Sequence, residues 1–78
     1  LPAYYKKIVK AVEKSDWLRL RDEAHVLRGA SSNYGYPGIA SICTLIEEEA
    51  EQTKDMEQVR RYIQSLETLC ERALQVNY

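Results

Sequence analysis

Residues 16–37 read Asp16-Trp17-Leu18-Arg19-Leu20-Arg21-Asp22-Glu23-Ala24-His25-Val26-Leu27-Arg28-Gly29-Ala30-Ser31-Ser32-Asn33-Tyr34-Gly35-Tyr36-Pro37. Trp17, Leu20, Ala24, Leu27, Ser31 and Tyr34 follow one face at the helical period, so the stretch predicts a helix over 16–33. Ser15 and Asp16 can each accept from a free N–H of the first turn. Asn33 to Pro37 then predicts a turn. Gly35 can take the left-handed stop conformation, and Pro37 can open the next helix.

The same logic extends outward. Ile39, Ile42, Cys43, Ile46 and Ala50 form the core stripe of a helix over 37–52, whose C-terminal half is acidic. Upstream, Tyr4, Tyr5, Ile8, Ala11 and Val12 mark one face of a helix over 2–14, opposite Lys6, Lys7, Lys10 and Lys14. Downstream, Asp55 and Gln58 resemble a capping box. Val59, Tyr62, Ile63, Leu66, Leu69, Cys70, Ala73 and Leu74 then give the long stripe of a helix over 56–76. With 3 Gly, 2 Pro and no strand alternation, the chain predicts an all-α fold, an antiparallel four-helix bundle. No single helix could bury its stripe alone, so the bundle supplies the stability.

Length and charge bound the function. Seventy-eight residues make one domain, 1–78, too small for a nucleotide-binding fold with its own cleft. Eleven Lys and Arg against twelve Asp and Glu leave a net charge of -1, which argues against a general nucleic-acid binder. No apolar run nears the roughly 20 residues of a membrane span. The start, Leu1 to Tyr5, lacks the features of a signal peptide. It also lacks an initiator Met, which reads as a domain cut from a longer chain. Cys43 and Cys70 with the single His25 cannot make a four-ligand zinc site, and read as reduced, packed thiols of a cytoplasmic protein.

His25 lies off the core stripe of its helix. Leu18, Arg21, Asp22, Arg28, Gly29 and Ser32 share its face. Gly29, one turn on, is costly in a helix interior, by about 1 kcal/mol against Ala. Its bare backbone would clear space around the imidazole for a bulky substituent or a partner. Arg21 and Arg28 suit an anion on the ring, because guanidinium groups donate to phosphate oxygens in charge-assisted fashion.

Ala24 to Gly35 resembles the signature of histidine-containing phosphotransfer (HPt) domains, A-H-x-L-K/R-G-x-(small)-x-x-x-G. That family follows it with C-x-x-L-E at the middle of an apolar helix. Cys43-Thr44-Leu45-Ile46-Glu47 is read against this motif with one residue inserted between the Leu and the Glu. The resemblance covers about 12–47.

It implies a phosphorelay intermediate of two-component signalling. His25 would accept a phosphoryl group from a receiver-domain phospho-aspartate and pass it to another receiver. Arg28 would favour the phosphate electrostatically, Gly29 would give the ring clearance, and Glu47 would hydrogen-bond and orient the imidazole. Receiver domains of response regulators and of a parent kinase would dock over Leu18, Arg21, Asp22 and Ser32, with Tyr36, Pro37 and Ala40 on the neighbouring edge. The domain would have no autokinase activity and no cofactor or metal of its own, with Mg²⁺ coming from the receiver. It would contact neither nucleic acid nor membrane. The implied parent is a cytoplasmic or inner-membrane-anchored hybrid sensor histidine kinase carrying this module at its C-terminal end. Sensor-kinase dimerisation helices carry an acidic residue and then a Pro after the His, and neither follows His25 here. A helical interaction module without phosphoryl chemistry, using the same face, is the alternative.

Overall fold

The computed structural model describes residues 2–76, with side chains over 3–72. Four helices follow in order: α1 Pro2–Glu13, α2 Trp17–Asn33, α3 Pro37–Glu51 and α4 Met56–Val76. There is no strand among the described residues. Each helix packs against its neighbours in chain order, and α1 closes the ring against α4. The α2–α3 pair is the most extensively packed. The bundle measures 37 × 19 × 18 Å.

The stripes converge on one core. Ile8 of α1, Leu20 and Leu27 of α2, Ile39 and Ile46 of α3, and Leu66 of α4 are fully buried. Cys43 and Cys70 are buried free thiols within this core. Ser31 is the one polar side chain buried with them among the described residues. Its hydroxyl donates to the carbonyl oxygens of Leu27 at 2.7 Å and Arg28 at 3.1 Å, which satisfies it within its own helix.

Each connection turns through one residue of positive φ: Ser15 (52°), Gly35 (79°) and Lys54 (55°). Asp16 caps α2, its Oδ1 accepting from the Arg19 N–H at 3.1 Å. The helix stops when the Tyr36 N–H reaches back to the Ser31 carbonyl at 2.8 Å, around left-handed Gly35. Asp55 accepts from the N–H groups of Glu57 at 3.1 Å and Gln58 at 3.4 Å. The return half of the expected capping box is missing. The Gln58 amide donates instead to the Tyr62 hydroxyl at 3.0 Å.

Three further sequence expectations change. Helix limits differ by one residue at three ends: Lys14, which lies in the turn after α1, and the caps Asp16 and Gln52 lie outside the helices. Tyr34 is 68% exposed, not part of the core stripe, because the helical period lapses where the chain turns toward Gly35. The inserted residue in the α3 motif disappears. Ile46 is fully buried and Leu45 is exposed, so Ile46 holds the apolar position and the register is Cys43-x-x-Ile46-Glu47. Ala73 and Leu74 lie outside the described side chains.

Candidate functional site

Burial of Ala24, Leu27 and Ser31 fixes the rotation of α2 and turns His25 outward, with 63% of its side chain exposed. Burial of Cys43, Ile46 and Ala50 fixes α3 in the same way and carries Glu47 to the α2 seam. The Glu47 side chain is only 14% exposed. An exposed ring therefore stands on a largely covered carboxylate.

Glu47 Oε1 lies 3.0 Å from His25 Nδ1, and Glu47 Oε2 lies 3.0 Å from Arg28 Nε. Arg28 Nη2 closes the triangle, 2.8 Å from the same His25 Nδ1. A hydrogen on Nδ1 donates to Glu47. A bare Nδ1 accepts from Arg28. One nitrogen cannot do both, so the two contacts are alternatives. Among the described residues nothing bonds Nε2, the nitrogen left open. Beside the ring, Gly29, Ser32, Ala40, Ser41 and Thr44 border a hollow of about 470 Å³ between α2 and α3. A Cβ built on Gly29 would meet no atom within 4 Å, so packing does not demand glycine there.

The profile of the Hpt domain family matches residues 1–76. The chain belongs to the Hpt domain family. Hpt domains are the phosphotransfer modules of two-component signalling; they lack kinase activity and interact with receiver domains in phosphorelays. Neither a curated protein nor a solved structure matches this Hpt domain.

The other sequence candidates fall into two groups. Arg28 joins the ring, but Arg21 does not. Its guanidinium bonds Asp22 at 3.1 Å and lies 3.9 Å from Glu51, away from the imidazole. Around the hollow, Ser32 and Ala40 border it directly. Leu18 is 62% exposed on α2. Tyr36 is half-buried against the core and Pro37 is exposed at the start of α3. Both border a separate apolar hollow with Gly35, Ile39 and Leu69, whereas Ala40 of the same edge borders the His25 hollow.

Sequence reading passed over Ser41 and Thr44. Thr44 stands one turn before Glu47 on α3, so the helical spacing from Glu47 could have found it. Its hydroxyl donates to the Ala40 carbonyl at 3.1 Å. Val26 was also missed, 50% exposed beside His25 in sequence. Deeper, burial pushes the Cys43 thiol up to about 12, with neighbouring Cys70 adding to the shift. At that value it is no nucleophile at neutral pH. No group of metal-ligating side chains occurs among the described residues. No described helix is long and apolar enough to cross a membrane.

Proposed function

We propose that His25 Nε2 accepts a phosphoryl group from the phospho-aspartate of one receiver domain and delivers it to the aspartate of another. The observation that carries this reading is an exposed imidazole with Nδ1 engaged by Glu47 and Nε2 open. With its hydrogen on Nδ1, the ring presents a lone pair at Nε2. That lone pair attacks phosphorus in line. The bond to the acyl oxygen breaks, and its electron pair stays on the aspartate carboxylate. The positive charge gained by the ring is faced by Glu47. Transfer onward reverses these steps at the second receiver. The domain contributes position and charge, and Mg²⁺ comes with the receiver's acidic cluster.

Docking uses the exposed face of α2 on both sides of His25: Leu18, two turns before it, is the leading apolar contact with Asp22 between them, and Ser32 and Ala40 border the hollow beyond the ring. The parent chain is a hybrid sensor kinase, and the module works on the cytoplasmic side.

A transfer assay with a phosphorylated receiver tests this, comparing the wild type with His25→Ala. Acid-labile, base-stable label on the wild type and none on the variant is the expected result. No label from any of several receivers on a folded domain would favour a non-phosphorylated interaction module. Label surviving in His25→Ala would mean another residue is the acceptor.

A further inference from the structure

The two alternative contacts at Nδ1 bear on what happens after transfer. Glu47 Oε1 at 3.0 Å needs a hydrogen on that nitrogen, and Arg28 Nη2 at 2.8 Å needs none. Both groups are already in place, bound to each other through Arg28 Nε and Glu47 Oε2 at 3.0 Å. No other charged side chain reaches the ring among the described residues. Asp22 and Arg21 pair with each other, and Arg21 also approaches Glu51.

We infer that Arg28 and Glu47 form a two-position switch on Nδ1, Arg28 holding the phosphorylated ring in a storage form and Glu47 in a transfer form. This rests on the phosphotransfer reading above. When Nε2 has taken the phosphoryl group, the ring is an imidazolium that still carries hydrogen on Nδ1. In that form it donates to Glu47. A receiver aspartate attacks phosphorus, the P–N bond breaks, and its electron pair returns to Nε2 to leave neutral histidine. The ring leaves easily because it departs uncharged.

Alternatively, Nδ1 gives its hydrogen to water. The neutral phosphorylated ring then accepts from Arg28 Nη2. Breaking the P–N bond from this form would expel an imidazolate anion, a far poorer leaving group. The phosphoryl group is therefore held. Only a small shift of the displaced partner is needed, because both sit within 3.0 Å of the same atom. Arg28 and Glu47 act as positioning residues: they select the hydrogen occupancy of Nδ1 and need not touch the phosphorus.

The test uses Arg28→Met, which keeps the stem and removes the donors, and Glu47→Gln, which removes the charge and adds a donor. Arg28→Lys is the conservative rescue. Each phosphorylated protein is followed by phosphorus NMR for the lifetime of its P–N bond, and by mixing with unphosphorylated receiver for its transfer rate. Nitrogen-15 spectra read the hydrogen on Nδ1. Arg28→Met is expected to shorten the lifetime on the order of tenfold, the size of one charge-assisted hydrogen bond, and to change the transfer rate by a smaller factor. Glu47→Gln is expected to lengthen the lifetime and slow transfer by a similar factor. Arg28→Lys restores part of the lifetime. Shifts of the same sign in both variants, or unchanged lifetimes and nitrogen spectra, overturn the switch while leaving His25 as acceptor. A wild type that takes no label overturns both. Thermal unfolding of each variant checks that the fold is intact, and loss of folding cannot produce opposite changes in lifetime.

Discussion

Gly29→Ala separates the demands of the helix from those of the site. Gly29 lies inside α2, and the added methyl would meet no atom within 4 Å. The helix therefore gains about 0.8–1.0 kcal/mol from the better former, with no packing loss to offset it. For a domain this small, each kcal/mol raises Tm by roughly 4–8 °C. The methyl projects into the hollow one turn beyond His25. There it keeps partner carbons about 3.5–4.0 Å away. In-line transfer needs the reacting atoms about 3–3.5 Å apart, and a displacement of about 1 Å can cost on the order of 100-fold in rate. The variant should thus melt several degrees higher and accept phosphoryl groups between about 10- and 100-fold more slowly. Thermal unfolding by circular dichroism and single-turnover transfer from a phosphorylated receiver measure the two effects. Transfer at the wild-type rate would refute the clearance argument. A lower Tm would mean that glycine is there for the fold.

Gly35→Ala should behave in the opposite way: φ of 79° penalises an L-residue by about 1–2 kcal/mol, read as a lower urea midpoint. Leu27→Ala removes a fully buried side chain between Ala24 and Ser31 and should cost about 2–5 kcal/mol in equilibrium unfolding. The buried thiols set an alkaline limit. An unfolded Cys43 loses its proton near its usual 9, and the folded one holds it to about 12. Between those values the unfolded state binds fewer protons, so this contribution is complete below 9 and declines as pH rises toward 12. Urea midpoints across that range should fall more steeply in the wild type than in Cys43→Ala, and parallel curves would count against it. In the native protein, Cys43 should resist iodoacetamide at neutral pH until urea unfolds the chain, as followed by mass spectrometry.

The four helices were legible because the apolar period runs unbroken between the turns, and the turns carry their own chemistry at Asp16, Gly35 and Asp55. Tyr34 misled because periodicity assumes a helix that had already ended. The capping-box reading was half right, since Asp55 lies in the backbone's path whereas Gln58 is long enough to choose Tyr62. Arg21 and Arg28 illustrate the same limit at the site. Both sit within a turn of His25, and spacing alone could not tell which would join it. That depended on the carboxylate each met across the α2–α3 seam: Glu51 for one, Glu47 for the other. Glu47 itself came from family resemblance. The double approach to Nδ1 had no sequence signal, because it depends on ångström-scale placement of two side chains around a third.

The difference in cover between the exposed imidazole and the sheltered carboxylate beneath it has an evolutionary side. Under the proposed function a docking protein would meet the ring, Leu18, Val26 and the bare backbone of Gly29, while Glu47, only 14% exposed, would lie largely out of its reach. Substitutions along that outer rim can redirect the domain toward a new receiver without disturbing the group that orients the nucleophile. After gene duplication, two copies could therefore be insulated from each other's circuits by a few surface changes, with their shared chemistry inherited intact.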